Sequence, residues 1–154
     1  MAGTLFVVAS PIGNLEDITA RALRVLREVA VIAAEDTRHS GKLLSHFGIG
    51  TATTSLHEHN ERDQVPSLIE SMRGGKSIAL ISDAGTPLVS DPGYRLVHSA
   101  RAAGIPVVPV PGACAAIGAV CIAGLPTERF VFEGFPPARA AARRAAFRAL
   151  ASEP

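Results

Sequence analysis

The chain has 154 residues, 47% of them hydrophobic and 19% charged, with a formal net charge of +1. That length allows one domain with a real core and the opening of a second, and the composition excludes a disordered polar chain. The net charge by itself says nothing about nucleic acid, but its distribution is uneven: residues 1–137 carry 11 basic and 13 acidic side chains, whereas residues 138–154 carry 4 and 1.

Taken in chain order, Met1 to Ala9 runs straight into a strand-like apolar segment with neither a basic region nor a small-residue cleavage site, so no signal peptide is expected. No apolar run is long enough for a membrane span, and the expectation is a soluble, cytoplasmic protein. Short β-rich runs at residues 5–9, 29–34, 78–81 and 107–110 alternate with segments of helical periodicity. This alternation predicts an α/β fold with a mainly parallel sheet flanked by helices. In the first helical segment Ile18, Ala22, Val25, Leu26 and Val29 form the apolar stripe, with Asp17 or Thr19 available as N-cap. Segment 61–73 is less regular, because Pro66 predicts a late start or a kink. Residues 93–103 show a stripe of Leu96, Val97, Ala100 and Ala103, closed by Gly104.

From Ala113 to Ala123 the chain is small and apolar on all sides, which predicts a buried helix. Cys114 and Cys121 fall about 10 Å apart along such a helix and cannot pair; two free thiols and no metal site are expected. Residues 124–129 read as a linker between an N-terminal domain over 1–123 and the beginning of a C-terminal domain over 130–154. Phe130 to Phe132 is its candidate first strand, and an arginine-studded helix follows at 138–150. The chain stops before that second unit closes a core, so a piece of a longer protein is expected.

Three loops follow predicted strands and so belong at the carboxyl edge of the sheet, where open α/β folds bind ligands. They are residues 10–14, 82–93 and 111–115, and the middle one combines two glycines, two prolines, three hydroxyls and two carboxylates. Neither a Walker loop nor a Gly-x-Gly-x-x-Gly fingerprint is present. The residues therefore point to a small uncharged or zwitterionic ligand held by backbone groups, with a ring against apolar strand ends.

The blocks Ala9 to Thr19, Glu35-Asp36-Thr37-Arg38, His57-Glu58-His59-Asn60-Glu61, Ser82 to Gly93, Pro109 to Gly112 and Glu133-Gly134-Phe135 together resemble the tetrapyrrole methylase superfamily, and within it the branch acting on ribosomal RNA. The resemblance spans essentially the whole chain, whose relatives are about twice as long. It implies methyl transfer from S-adenosylmethionine to the ribose 2′-hydroxyl of a cytidine in the decoding region of 16S rRNA, with the 30S subunit as partner and a homodimer as the full-length form. Carried over by motif, Pro11, Ile12 and Gly13 resemble the proline loop beside the cofactor. Gly85, Thr86 and Pro87 stand where many relatives have Gly-Asp-Pro, and Val89, Cys114 and Ala115 match further cofactor positions. Thr86 departs from the commoner aspartate, and Asp83 is the nearest substitute.

A ribose hydroxyl is a poor nucleophile that a proton acceptor would assist. Glu35, Asp36 and His57, with Glu58 and His59 beside it, are candidates, and spacing does not choose among them. Arg38, His59 and Asn60 are candidate substrate contacts, as are Arg139, Arg143 and Arg144, which helical spacing brings together. His57 and His59 lack a third metal ligand. Competing readings are a methylase acting on a tetrapyrrole precursor, a cofactor- or RNA-binding module inactive alone, and a phosphohydrolase using Asp83.

Overall fold

The computed structural model describes residues 2–151. Five strands, β1 (Leu5–Val8), β2 (Val31–Ala34), β3 (Thr53–Ser55), β4 (Ile78–Ile81) and β5 (Val107–Val110), form one sheet in the order β3-β2-β4-β1-β5. Every pairing is parallel. Six helices accompany them: α1 (Ala20–Glu28), α2 (Thr37–His46), α3 (Glu61–Arg73), α4 (Tyr94–Ala102), α5 (Ala115–Ile122) and α6 (Ala140–Leu150).

The central strand β4 is buried at all four positions, as a strand covered on both faces must be. Alternate residues point to opposite faces. Ile78 and Leu80, with Leu5 and Ala33, pack against Leu68, Ile69 and Met72 of α3 and Leu96 and Ala100 of α4. Ala79 and Ile81, with Val8, Ile32, Ala34 and Val110, pack against Val25 and Leu26 of α1 and Leu44 of α2. Connections from β1 to β2 to β3 run toward one edge with their helices on one face, and those from β3 to β4 to β5 return on the other. The reversal falls between β1 and β4, and a crevice opens at the carboxyl ends of strands where such a reversal occurs.

Local chemistry sets the helix ends. Thr19 Oγ1 accepts the Ala22 N–H at 3.0 Å and starts α1, and Asp36 Oδ1 accepts the Arg38 N–H at 2.8 Å and starts α2. Helix α3 begins at Glu61 and runs through Pro66, so the late start does not occur; the carbonyl deprived of its donor belongs to Arg62, exposed like Pro66 itself. Helix α4 begins after Gly93, at φ 118, which offers no side chain to cap it. Glu61 does so from α3: its Oε1 accepts the Arg95 N–H at 2.9 Å and the Leu96 N–H at 3.2 Å, and the residue is only 5% exposed.

Two expectations fail. Helix α5 has no buried residue, and Ile122 is 87% exposed. It follows the edge strand β5 in the chain, and the described residues leave every one of its positions at least partly exposed. Phe130 to Phe132 form no strand, because a strand needs a ladder partner for its backbone groups and β5 pairs only with β1 among the described residues. Cys114 stands at the N-cap position of α5, not within it, and makes no side-chain capping bond; both cysteines are free. Helix α2 and strand β3 were not anticipated. No described helix is long and apolar enough to cross a membrane.

Candidate functional site

The three strand-end loops are tied into one structure. Ser10 and Gly85 exchange two backbone hydrogen bonds, at 2.9 and 3.1 Å, and Ser10 Oγ donates to the Ser82 carbonyl at 3.2 Å. Thr86 Oγ1 donates to the Ala113 carbonyl at 3.2 Å, which attaches the third loop. Gly85 is needed at the junction: its φ is +78, and a Cβ there would stand 3.2 Å from Ile12 Cγ2. Leu88 and Ser90 also have left-handed backbone, at φ 71 and 65, a conformation unfavourable for non-glycine residues that persists where the surroundings hold it. Leu88 is held by packing against the α3–α4 core.

Three cavities surround this knot. One of about 300 Å³ is lined by Ile12, Gly85, Thr86, Val89, Cys114 and Ala115, together with Asp91 and the rings of Phe132 and Phe135. Six of the ten residues singled out for a cofactor therefore meet in one place. Pro11, Gly13 and Asp83 instead line a second cavity of about 300 Å³, whose other wall is His39, Lys42 and His46 of α2. Pro87 is buried behind the loop. A third cavity, about 530 Å³, is lined by Glu35, His57, Glu58, His59, Asp91 and Tyr94. Ser90 and Asp91 are in the wall of both the first and the third.

The candidate proton acceptors separate by environment. Asp36 accepts the Arg38 N–H and is ion-paired with the Arg38 guanidinium at 3.5 Å; these contacts, the backbone bond foremost, hold its carboxyl below the usual range, which weakens it as a base. Burial, then the neighbouring Asp83, push Glu35 up. Burial, then Asp83, likewise raise Asp91, against the pull of the Ser82 hydroxyl. His57 Nδ1 is buried and has no hydrogen-bond partner among the described residues, while its ring meets that of His59 edge-on at 6.0 Å.

The remaining candidates lie apart. Arg38 has a side chain 92% exposed. Asn60 is engaged in its own turn, accepting the His57 N–H at 2.9 Å and donating to the Ser55 carbonyl at 3.0 Å. Arg139 is the N-cap of α6, Arg144 is exposed, and Arg143 donates to the carbonyls of Pro137 and Ala138. No group of three or more His, Cys, Asp or Glu among the described residues is placed to hold a metal ion. Asp91 and the capping Glu61 were missed as individuals, although Asp91 stands in the loop that composition singled out.

Fold and site together define an α/β domain whose cleft is built by strand-end loops at the reversal of a parallel sheet. The chain belongs to the tetrapyrrole (corrin/porphyrin) methylase family, whose profile matches residues 4–154. It is 63% identical over 153 residues to the ribosomal RNA small subunit methyltransferase I of Pseudomonas aeruginosa, covering 99% of this chain and 54% of that protein. The counterpart of the same name from Escherichia coli O157:H7 is 57% identical, at 99% and 53% coverage. The chain thus spans about half the length of these relatives. Among solved structures, uroporphyrin-III-C-methyltransferase from Thermus thermophilus is 30% identical with a TM-score of 0.63, covering 82% of this chain and 55% of that one. A diphthine synthase, 20% identical with a TM-score of 0.64 and coverages of 84% and 52%, shares the fold.

Proposed function

We propose that this chain supplies the cofactor-binding half of an S-adenosylmethionine-dependent methyltransferase that modifies the ribose 2′-hydroxyl of a cytidine in the decoding region of 16S rRNA, within the 30S subunit. The observation that carries the reading is the convergence of Ile12, Gly85, Thr86, Val89, Cys114 and Ala115 on one cavity. The names of the relatives at 63% and 57% identity supply the rRNA substrate class.

The lining fits the cofactor. Ile12, Val89, Ala115, Phe132 and Phe135 offer apolar walls for an adenine ring, and Gly85 leaves open the space a Cβ would crowd. When bound, the cofactor supplies an electrophilic methyl group on a sulfonium. The chain's own residues hold and orient the two reactants, which accounts for much of the rate in such a displacement. The larger neighbouring cavity, with Tyr94, His57 and His59 at its walls, suits an extruded nucleoside, because unstacked bases are read by stacking on aromatic and histidine rings.

The domain reading, 1–123 followed by a linker and the opening of a second domain at 130, accompanies this proposal, as does a homodimer of the longer protein. Leu125, Val131 and Phe135 are 71, 65 and 84% exposed, an apolar surface that further protein would cover. The test is to incubate the full-length protein with methyl-labelled cofactor and either 30S subunits or a uroporphyrinogen. Label on the RNA is expected; label on the tetrapyrrole alone would overturn the assignment.

A further inference from the structure

Asp91 is the sole titratable residue shared by the two cavities that the methyl-transfer reading needs, the 300 Å³ one that fits the cofactor and the 530 Å³ one beside it. Its position is fixed from both sides in sequence. Leu88 is anchored in the core, Ser90 is held at φ 65, and Pro92 and Gly93 lead directly into α4. Helix α4 is in turn secured by Glu61. The other carboxylates are placed differently: Asp36 is spent on the start of α2 and lines neither cavity, and Glu35 lines only the larger. His57, too, lines the larger cavity alone.

We propose that Asp91 is the proton acceptor for the methylated hydroxyl, and that the larger cavity seats the acceptor nucleoside. This rests on the methyl-transfer reading above. The acceptor oxygen gains the methyl group and loses its proton to the Asp91 carboxylate. One C–S and one O–H bond are exchanged for one C–O bond and a protonated carboxyl, and the electron pair of the C–S bond stays on sulfur. The proton then leaves through the open mouth of the larger cavity. The titratable and charged groups that share a cavity wall with Asp91 or act on it are Glu35 after β2, Ser82 and Asp83 after β4, His57, Glu58 and His59 before α3, Glu61 on α3, Tyr94 on α4 and Cys114 before α5. Burial and the Asp83 charge raise the Asp91 carboxyl, which moves it toward the range where a carboxylate is an effective base.

The test uses the full-length protein with 30S subunits and cofactor, comparing the unsubstituted enzyme with Asp91→Asn and Asp91→Glu. Calorimetric titration of S-adenosylmethionine into each variant provides a readout independent of turnover. Asp91→Asn should lower kcat by roughly 100-fold or more, the scale of a lost general base. It should also abolish the acid limb of the pH profile while changing cofactor affinity far less than kcat. Asp91→Glu should restore part of the rate together with that limb. An acid limb that survives Asp91→Asn, or a loss explained wholly by weaker cofactor binding, overturns the proposal alone. Failure of the unsubstituted protein to bind cofactor or methylate 30S subunits overturns the methyl-transfer reading and this proposal with it.

Discussion

Replacing Glu61 by alanine removes the only side-chain cap at the N-terminus of α4 among the described residues. Gly93 cannot contribute a side chain, and the Arg95 and Leu96 N–H groups both end on Glu61 Oε1, at 2.9 and 3.2 Å. A hydrogen bond to a charged group is worth about 1.5–3 kcal/mol net, and loss of a helix N-cap costs about 0.5–2 kcal/mol. Two bonds to one largely buried oxygen therefore place Glu61→Ala at about 2–4 kcal/mol. In a domain of this size 1 kcal/mol corresponds to about 2–4 °C in Tm, so a fall of about 5–12 °C is expected. Glu61→Gln keeps an acceptor oxygen and loses only the charge facing the helix dipole, worth about 0.3–1 kcal/mol and up to about 2 where partly buried; its drop should be a fraction of the alanine variant's. Thermal and urea unfolding followed by circular dichroism measure both. Equal losses in the two variants, or a Tm within about 1 °C of the parent for Glu61→Ala, would refute the capping account.

Three further outcomes follow from the same geometry. Gly85→Ala puts a Cβ on a residue at φ +78, 3.2 Å from Ile12 Cγ2; the left-handed strain of about 1–2 kcal/mol, if relieved by displacing the cavity wall, weakens cofactor binding by about 5- to 30-fold, and unchanged calorimetric affinity would count against the assigned cavity. Glu35 has a raised carboxyl, so its fold holds the proton more tightly than the unfolded chain does. Stability is therefore lost as pH rises from the ordinary carboxylate range through the raised value, and Glu35→Gln should stabilise at neutral pH by less than about 1 kcal/mol. That gain should vanish in acid, and urea midpoints at the two pH values check the sign. Replacing Arg139, Arg143, Arg144 and Arg148 together in the full-length protein should flatten the salt dependence of rRNA binding by as much as about 3 in log–log slope, from 0.7–0.9 per phosphate contact; an unaltered slope means that this helix does not touch RNA.

How far the sequence reveals this molecule depends on the element. Strands β1, β4 and β5 are apolar β-rich runs, and α1 and α4 carry clean stripes with a cap or a closing glycine, so local signals and tertiary packing agree. Helix α2 is different: Thr37-Arg38-His39-Ser40-Gly41-Lys42 has a glycine and few apolar residues, and it buries only Ser40 and Leu44. Strand β3 is three polar residues at the sheet edge. The exposure of α5 was not legible, because an all-apolar helix carries no mark of what covers it. For the site, strand-end placement was enough to nominate the three loops. The position of Asp91 between two cavities was not, since it depends on left-handed backbone at Leu88 and Ser90, residue types that give no sign of it. The Glu61 cap joins residues 34 and 35 positions apart and depends on how α3 packs against α4.

The most direct test of the central claim is to identify the product. The full-length protein is incubated with 30S subunits and methyl-labelled S-adenosylmethionine, and the labelled nucleotide is mapped and digested to the nucleoside. A methyl group on the ribose 2′-oxygen of a decoding-region cytidine is the predicted result. A methyl group on a base, or no transfer to RNA by a protein that binds the cofactor, would contradict the assignment of the acceptor while leaving the fold and its family unaffected.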